Sequence, residues 1–395
     1  MSITLSCAPT LALFCRVVDN YGDIGICWRF ARQLQREHGV AVSLWVDDLL
    51  SFARICPPLD PNLAEQEIAG VRIVAWRDQA GTYTAAEVAD IVVEFFACDI
   101  PPDYIRAMAA CAVRPVWINF EGLTAESWVE GCHTLPSPHP RLPLTKHFFF
   151  PGFNAATGGL LREADLAARR QAFLADTAAV AVFFGQWGLT PAERAAFKVS
   201  LFAYQEAPVA ALLTAWQQQA RPITCIVPAG VAEAALTAFL GEPVRSGQRY
   251  TRAALTLCIV PFMPQDDYDR LLWACDFNFV RGEDSFVRAQ WARKAFIWHI
   301  YPQDEALHHR KLQAFLQIHD AAGSQLRAAS LAWNAVTTSA TDWATVWPAL
   351  MQELPEIEAC ARVWEQKMLE NGDFSSNLLR FTTGLAAVNA AAAQI

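Results

Sequence analysis

A regular alternation of apolar runs and amphipathic segments constrains the fold of this chain more than any other feature. At its start, the sequence predicts a strand over 11–18, a loop rich in turn residues over 19–25, an amphipathic helix over 27–38 and a second strand over 40–46. This order is typical of the opening of a doubly wound α/β sheet, whose ligands bind beyond the carboxyl ends of the strands. The pattern therefore predicts a ligand site close to the loop 19–25.

The same alternation continues along the rest of the chain. Further strands are predicted at 71–76, 91–96, 115–120, 223–228, 255–260, 277–280 and 296–300, and the run 178–184 is expected to begin a second set of strands. Helices are predicted at 103–111, 163–176, 208–219, 231–240, 266–274, 308–319, 342–353 and 357–370, and the chain ends in an alanine-rich stretch at 383–394. We interpret the proline-rich run 136–143 as a loop, and the stretch 148–161, rich in glycine and aromatic residues, as an inter-domain segment.

Two consecutive β/α halves predict two Rossmann-like, doubly wound domains that face each other across a cleft. We place the first domain at 1–160 and the second at 161–355. The C-terminal helices at 356–395 could pack back on the first domain.

The composition excludes several classes of protein. Hydrophobic residues make up 53% of the chain and charged residues 18%, which is typical of packed domains and not of disordered chains. A net charge of −9 argues against broad binding to nucleic acids or to anionic membranes. The eleven cysteines form no CxxC motif, the eight histidines form no HExxH motif, and neither a signal peptide nor a membrane span is apparent. We therefore expect a cytoplasmic protein with reduced thiols and no structural zinc.

The stretch 275–294 combines a buried strand, a glycine and the start of a helix. Gly282 allows a ligand to approach the backbone closely, and the N–H groups at a helix start bind anions such as phosphate. Arg281 and Arg288 could add positive charge. This junction is therefore a candidate phosphate site.

Glu283 and Asp284 are unexpected at such a site, because they stand where a phosphate would lie. One interpretation is that Asp284 or Ser285 caps the helix and that Asp284 pairs with Arg288 four residues on. The other is that the acids bond hydroxyl groups of a ligand while the N–H groups bind its phosphate. The residues alone leave both interpretations open.

The loop 19–25 offers two carboxylates, Asp19 and Asp23, at a strand end. They could form a turn and a helix N-cap, or they could provide a general base. Asp267 and Asp269 mimic the DxD metal motif of some sugar transferases, but acids are also favoured in the first turn of a helix, and we prefer that explanation. The chain contains no GxGxxG, GxSxG or P-loop motif.

Four segments together resemble a known family, the bacterial protein-arginine rhamnosyltransferases of translation elongation factor P (the EarP family). The segments are VVDNYGDIGICWRFARQL at 17–34, PFMPQDDYDRLL at 261–272, VRGEDSFVRAQWA at 280–292 and FIWHIYPQDEALH at 296–308. The resemblance covers most of the chain, and the third segment is highly specific.

The resemblance implies a GT-B fold and an inverting transfer of L-rhamnose from dTDP-β-L-rhamnose to one arginine of elongation factor P. It implies an acceptor on the side of the first domain and a donor held mainly by the second, without a cofactor or a metal ion. It also implies that the partners are this protein acceptor and a nucleotide sugar, with no nucleic acid and no membrane.

The resemblance implies roles for individual residues as well. Asp23 would be the general base, Asp19 its neighbour and Glu283 a second essential carboxylate. The expected donor-binding residues are Gln265, Arg281, Asp284 and Ser285, with Phe202, Tyr204 and Phe262 shaping the nucleotide pocket, and with Tyr21, Gly22, Gly282 and Arg288 beside them. Tyr21 occupies a position that is often Phe in relatives, a change that we expect to be tolerated.

The chemistry requires more than a simple deprotonation. An arginine side chain has a pKa above about 12 and a free aspartate a pKa of about 4, so complete proton transfer in advance would cost on the order of 12 kcal/mol. Asp23 must therefore hold the guanidinium and accept the proton as the C–N bond forms. Two alternatives stay open: another GT-B enzyme, such as a UDP-sugar transferase or an epimerase, and a non-catalytic protein that grips an arginine through Asp19, Asp23 and Glu283.

Overall fold

The computed structural model describes residues 8–19, 21–76, 83–319, 324–336 and 341–394. The chain divides into two compact units, the first made of Met1–Ala164 with Met368–Ile395 and the second of Asp165–Lys367. The divisions fall at 164/165 and 367/368, whereas the sequence placed them at 160/161 and 355/356. Residues 1–7 of the N-terminal segment and Asn20 of the predicted loop lie outside the described residues.

Fourteen strands and sixteen helices are found in the described residues. The strands are β1 (Thr10–Cys15), β2 (Ala41–Val46), β3 (Glu65–Ile68), β4 (Val71–Ala75), β5 (Ile91–Phe95), β6 (Val116–Phe120), β7 (Pro136–Pro138), β8 (Thr145–Phe149), β9 (Phe197–Leu201), β10 (Ile223–Pro228), β11 (Arg249–Arg252), β12 (Leu255–Val260), β13 (Phe277–Arg281) and β14 (Ala295–His299). The helices are α1 (Gly22–His38), α2 (Leu49–Ile55), α3 (Pro102–Ala110), α4 (Trp128–Cys132), α5 (Leu166–Ala175), α6 (Thr177–Gly185), α7 (Pro191–Ala195), α8 (Val209–Gln217), α9 (Glu233–Leu240), α10 (Gln265–Ala274), α11 (Asp284–Trp291), α12 (Leu307–Ile318), α13 (Ser324–Trp333), α14 (Trp343–Gln352), α15 (Leu354–Glu370) and α16 (Phe374–Ala392).

The first unit is built on an eight-stranded sheet with the order β3-β4-β2-β1-β5-β6-β8-β7. The inner strands run parallel, and the edge strands β3 and β7 pair antiparallel with β4 and β8. Numbered along the chain, the parallel strands follow the order 3-2-1-4-5-6 of a doubly wound Rossmann sheet. The order reverses between β1 and β5, and ligands of such sheets bind beyond the carboxyl ends at this switch point.

Helix α1 connects β1 to β2 and begins earlier than the sequence predicted. It starts at Gly22 instead of residue 27, so most of the predicted loop 19–25 is the first turn of the helix. Gly22 and Gly25 are poor helix formers, which is why the pattern suggested a loop there. At its other end, Gly39 takes a left-handed φ of 65° and closes the helix.

Helix α16 returns the chain to the first unit and completes its core. Phe374, at the start of α16, stacks on Phe120 of β6 with 4.2 Å between ring centroids and packs edge-on against Phe30 of α1. Beside it, Ser375 Oγ donates to Gln33 Oε1 at 2.8 Å, and both side chains are buried. The end of the chain therefore belongs to the first unit.

The second unit is built on a six-stranded sheet with the order β11-β12-β10-β9-β13-β14. All strands run parallel except β11, which pairs antiparallel with β12. Its parallel strands follow the order 3-2-1-4-5, with the switch point between β9 and β13. Its core includes Phe277 and Phe279 of β13 together with Trp216, Trp333 and Trp347 from three helices.

Three predictions of local structure were wrong. The run 178–184 lies in helix α6, whose N-cap Asp176 accepts a hydrogen bond from Ala179 N at 2.9 Å. A short apolar run does not distinguish a strand from a helix, and this one is rich in alanine.

The proline-rich run 136–143 was predicted to be a loop, but it contains strand β7, at the sheet edge where proline is tolerated. The stretch 148–161 is not a linker but part of the first unit, since it includes the end of β8 and its Phe149, Phe150 and Phe153 are buried.

Within the described residues, no helix combines the length and the apolar character needed to cross a membrane.

Candidate active site

In the first unit, the segment after β1 brings two aspartates to the switch point of the sheet. Asp23 is the second residue of α1 and is only 5% exposed. Its Oδ2 accepts hydrogen bonds from the backbone N–H groups of Val18 and Asp19, at 2.7 and 2.8 Å. Because two backbone N–H groups donate to the same oxygen, they fix the orientation of the carboxylate.

The electrostatics of this loop favour a basic carboxylate. Burial raises the pKa of Asp23 above its ordinary value, the hydrogen bonds from Asp19 and Val18 lower it, and the negative charge of Asp47 raises it again. Asp47 directly follows β2, and its Oδ1 accepts a hydrogen bond from Val17 N at 2.9 Å. Asp23 therefore holds a proton more tightly than a free aspartate, which is what a general base requires.

The rest of the loop supports this arrangement. Tyr21 occupies the N-cap position of α1 without a side-chain cap hydrogen bond, so neither aspartate is the N-cap. Gly22 N donates to Asp19 O at 2.6 Å, and a Cβ on Gly22 would lie 2.7 Å from Asp19 Oδ2. The glycine thus leaves room for the Asp19 carboxylate. Tyr21 and Gly22, both predicted to bind the donor, lie in this loop beside the two aspartates.

In the second unit, the junction of β13 and α11 forms the other group of predicted residues. Gly282 takes a left-handed φ of 63°, which favours glycine. Glu283 is the N-cap residue of α11 but makes no side-chain cap hydrogen bond. Ser285 Oγ accepts a hydrogen bond from Arg281 N at 3.0 Å and donates to Arg281 O, because the tight turn folds this hydroxyl back onto β13. The interpretation in which Asp284 or Ser285 caps the helix is therefore wrong.

Gln265 and Asp284, both predicted to bind the donor, are hydrogen-bonded to each other beside this junction. Gln265, the first residue of α10, is buried, and its Nε2 donates to Asp284 Oδ2 at 3.2 Å. Phe262 lies in the connection between β12 and α10 and is half-buried. The structure therefore brings the 261–272 segment to the same sheet edge as the start of α11.

Phe202 and Tyr204 follow β9, on the other side of the switch point, and enclose the side chain of Arg281. The guanidinium carbon of Arg281 lies 4.4 Å from the centroid of the Phe202 ring and 4.7 Å from that of Tyr204. Its Nη1 also donates to the carbonyl oxygen of Ala203 at 3.1 Å. Three predicted donor-binding residues are thus in direct contact, with the cation beside both rings.

The sequence did not identify His299, which ends β14 at the same edge. Its Nδ1 accepts a hydrogen bond from Tyr204 N at 3.1 Å, and its ring packs edge-on against Tyr204 at 5.3 Å. Burial and the nearby charge of Arg281 lower the pKa of His299 to about 3, so its ring stays neutral. A histidine that ends an otherwise apolar strand was the one available signal.

Arg288, which was predicted to bind the donor, is placed in the core of the second unit. It is 2% exposed, and its Nε and Nη2 donate to the two carboxylate oxygens of Asp269 at 2.9 and 2.6 Å. Such a buried, bidentate pair stabilises the fold only while both partners are present. The carboxylate of Asp269 compensates the charge of Arg288, and the buried position of Arg288 does not support a contact with the donor.

The DxD-like pair is explained by the same contacts. Asp267 pairs with Arg270 on the surface of α10 at 2.9 Å, and Asp269 pairs with Arg288. Both carboxylates have cationic partners, which agrees with the structural interpretation of this motif. In the described part of the chain, no three His, Cys, Asp or Glu side chains are grouped so that they could hold a metal ion.

Comparison with known proteins gives consistent matches over nearly the whole chain. A family model described as elongation factor P (EF-P) rhamnosyltransferase EarP matches residues 11–383. The protein-arginine rhamnosyltransferase of Pseudomonas putida is 46% identical over 380 residues, which cover 94% of this chain and 98% of the relative. The corresponding protein of Pseudomonas aeruginosa is 43% identical over 377 residues, which cover 93% and 97%.

Solved structures agree with these relatives. A structure described as the basis for EarP-mediated arginine glycosylation of translation elongation factor EF-P matches with a TM-score of 0.65 and 34% identity, covering 95% of this chain and 99% of that chain. The spinosyn rhamnosyltransferase SpnG matches with a TM-score of 0.50 and 11% identity over 94% and 99%, which bears on the fold alone. The two Rossmann-like units are those of the predicted GT-B fold, which is confirmed.

Proposed function

Since the chain belongs to the EarP family of elongation factor P rhamnosyltransferases, we propose that it transfers L-rhamnose from dTDP-β-L-rhamnose, with inversion, to an arginine of elongation factor P. The observation that carries the proposal is the Asp23 carboxylate, buried at a switch point, fixed through one oxygen and made more basic by burial. A guanidinium is the acceptor that such a carboxylate is suited to hold.

Asp23 acts on the acceptor as the new bond forms. The guanidinium nitrogen attacks the anomeric carbon, the bond from that carbon to the diphosphate oxygen breaks, and the proton on the attacking nitrogen moves to Asp23. Because arginine is far more basic than a carboxylate, the proton leaves only as the C–N bond develops. Attack from the face opposite the leaving diphosphate inverts the anomeric centre. Asp19, in the same loop, holds the planar cation together with Asp23.

The second unit acts on the leaving group. The N-terminus of α11 and the guanidinium of Arg281 supply positive potential for the departing diphosphate. Glu283, the N-cap residue of that helix, is the third carboxylate of the proposal and binds either the acceptor cation or the sugar hydroxyls. Since the chain's own groups stabilise the leaving group, we expect activity without a metal ion or a cofactor, and addition of EDTA should leave the rate unchanged.

The identity of the partner rests on family membership and on charge. The relative in the solved structure is described as acting on EF-P, and a chain with a net charge of −9 suits a basic arginine-bearing acceptor better than a nucleic acid or a membrane. All ten cysteines in the described residues are free thiols, which suits the reducing cytoplasm where a translation factor is found.

Intact-mass analysis of elongation factor P tests the proposal. Incubation with this protein and dTDP-β-L-rhamnose should add one deoxyhexose, and fragmentation should place it on a single arginine. Nuclear magnetic resonance of the product sugar should show the α-anomer. A mass gain with UDP-rhamnose but not with dTDP-rhamnose would indicate another nucleotide-sugar transferase. Binding of the acceptor with no mass gain under any donor would indicate a non-catalytic arginine-binding protein.

A further inference from the structure

The turn that follows β5 in the first unit, residues 96–99, has a strained backbone. Phe96, Ala97 and Asp99 take left-handed φ angles of 51°, 50° and 54°, although none of them is a glycine. This region is unfavourable for residues that carry a Cβ, and such strain persists only where surrounding contacts hold it. Strained backbone is concentrated at functional sites, so the contacts that hold this turn are informative.

Buried groups on the two neighbouring strands hold the strained turn. Asn119 of β6 is completely buried, and its Oδ1 accepts a hydrogen bond from Ala97 N at 2.9 Å. Its Nδ2 donates to Glu121 Oε1 at 2.5 Å, which fixes the orientation of the amide. On the other side, Cys98 Sγ donates to the carbonyl oxygen of Phe14 in β1 at 3.3 Å. The turn is therefore anchored to both strands that flank β5.

The left-handed backbone of Phe96 determines where its ring lies. In an extended strand, successive side chains point to opposite faces of the sheet. The Phe96 ring instead stacks on that of Phe95, with 3.9 Å between centroids and 24° between planes. Phe95 packs edge-on against Phe120, which contacts Phe30 of α1 in the same way, at 5.0 and 5.5 Å. The strained turn thus brings the Phe96 ring to the face of the sheet that α1 covers.

The same face carries Asp23, in the first turn of α1. The register of β1 and β5 places Cys15 beside Phe95. Burial raises the pKa of the Cys15 thiol, and the negative charge of Asp23 raises it further, so the carboxylate lies close to this thiol. The Phe96 ring is 37% exposed. A large apolar ring therefore remains accessible at the sheet edge that holds the proposed base.

We infer that the Phe96 ring stacks on the guanidinium of the acceptor arginine while Asp23 meets its edge, and that Asn119 is the positioning residue that holds the ring there. The inference rests on the proposed function and adds a specificity-determining residue to it. A guanidinium is planar, so its N–H groups can meet a carboxylate in the plane while its face stacks on an aromatic ring. An ammonium group has no such face, and the ring therefore favours arginine over lysine as the acceptor.

A double-mutant cycle across the complex with elongation factor P tests the stacking contact. Phe96→Leu keeps an apolar side chain without an aromatic face, and it should weaken the binding of elongation factor P by about tenfold. Elongation factor P whose acceptor arginine is replaced by alanine should bind equally well to this variant and to the wild-type enzyme, because the contact is already lost. Calorimetry gives the four affinities, and fragmentation of the product identifies the arginine to replace.

The rate of glycosylation tests whether Asn119 acts through the ring. Asn119→Ala removes the acceptor for Ala97 N and should lower kcat/KM for elongation factor P in the same direction as Phe96→Leu, with little further loss when the two are combined. Phe96→Tyr keeps the ring and should recover most of the loss. The affinity for dTDP should stay unchanged throughout, whereas a general folding defect would lower it. Trp128→Leu is the matched control, since Trp128 is an exposed ring on α4, outside the strained turn, and the affinity for elongation factor P should not change.

Several results would overturn the inference. An equal loss in Phe96→Leu for the arginine and alanine forms of elongation factor P would mean that the ring contacts another part of the acceptor, and an unchanged affinity would mean that it makes no contact. Additive losses in the combined variant would remove Asn119 from the positioning of the ring. If Asn119→Ala does not fold, Glu121→Ala frees the Asn119 amide and should give the same non-additive loss on a smaller scale.

The outcome for the wild-type enzyme separates this inference from the proposed function. A wild-type enzyme that adds no deoxyhexose to elongation factor P would overturn the proposed function and the inference with it. A wild-type enzyme that glycosylates elongation factor P, with no coupling between Phe96 and the acceptor arginine, would overturn the inference alone.

Discussion

The two sheet edges each fix one charged side chain, a carboxylate in the first unit and a guanidinium in the second, and they do so with different contacts. At the edge of the first unit, backbone N–H groups of Val18 and Asp19 hold the carboxylate of Asp23. At the edge of the second unit, the rings of Phe202 and Tyr204 hold the guanidinium of Arg281. Asp23 follows β1 and Arg281 ends β13, each next to the switch point of a doubly wound sheet. Under the proposed function, the same topology presents a base in one unit and an anion-binding group in the other.

The difference shows how each group keeps its reactivity. Hydrogen bonds to a carboxylate lower its pKa, and in Asp23 burial outweighs them, so the group is fixed without losing its basicity. A carboxylate partner would have compensated the charge of Arg281, whereas aromatic rings orient a cation and leave its charge available. Each unit thus uses the kind of contact that fixes a charged group without cancelling its charge.

Removal of the Asp23 carboxylate, the proposed base, should have the largest effect on activity. Asp23→Asn keeps an oxygen that can accept the hydrogen bonds from Val18 and Asp19, but it cannot take the acceptor proton. We expect a loss of at least about a hundredfold in kcat with an unchanged affinity for dTDP, since general bases contribute about 10²–10⁴ in rate. Rates of elongation factor P glycosylation and dTDP titrations measure the two quantities. Wild-type turnover in this variant would remove Asp23 from the mechanism.

The buried ion pair of the second unit should affect stability and not the chemistry. Asp269→Ala leaves the guanidinium of Arg288 buried without its bidentate partner, and we expect the free energy of unfolding to fall by about 3–5 kcal/mol. Asp267→Ala is the matched control, because its pair with Arg270 is on the surface and should contribute at most about 1 kcal/mol. Denaturant unfolding of both variants gives the comparison. Equal free energies of unfolding for the two variants would show that the buried ion pair stabilises the fold no more than the surface pair does.

The contrast between Arg281 and Arg288 shows what the sequence could predict. Local signals were sufficient for the strand, the glycine and the helix around them, since β13 and α11 appear where the apolar run and the amphipathic pattern placed them. The pattern could not tell which of the two arginines is buried in an ion pair with a carboxylate. That depends on partners far along the chain, Asp269 for Arg288 and residues 202–204 for Arg281, and periodicity contains no information on them.

The same limit applies to strand β9, which the sequence did not predict, although Phe202 and Tyr204 directly after it were proposed from the family resemblance. Its five residues, Phe197–Leu201, include a lysine and a serine, so the run was not continuously apolar. The hydroxyl of this serine has a hydrogen-bond partner on the neighbouring strand β13, because Ser200 Oγ donates to Asn278 Oδ1 at 2.6 Å. A polar pair buried between strands is visible only once the strands are paired.

The smallest expected effect concerns Asp47. It tests whether the negative charge of Asp47 raises the pKa of Asp23, the proposed base. Asp23 must be deprotonated to act, so kcat/KM should fall as the pH drops through its pKa, and that midpoint should lie above the ordinary value of about 4. Asp47 is the acid whose charge acts on Asp23, and Asp19 contacts Asp23 through its backbone N–H. Cys15 and Cys27 beside it have raised pKa values and stay neutral thiols. The negative charge of Asp47 disfavours ionised Asp23.

Asp47→Asn removes that charge and keeps an oxygen that can accept the hydrogen bond from Val17 N. The pKa of Asp23 should therefore fall, and the acid limb of the kcat/KM profile should move to lower pH by a few tenths of a unit, because Asp47 is exposed and water screens its charge. Asp48→Asn makes the same change of charge one residue along, at the N-cap of α2, and should leave the midpoint in place. A shift to higher pH in Asp47→Asn would contradict the role of like charge at this edge, because a released repulsion can only favour the ionised base.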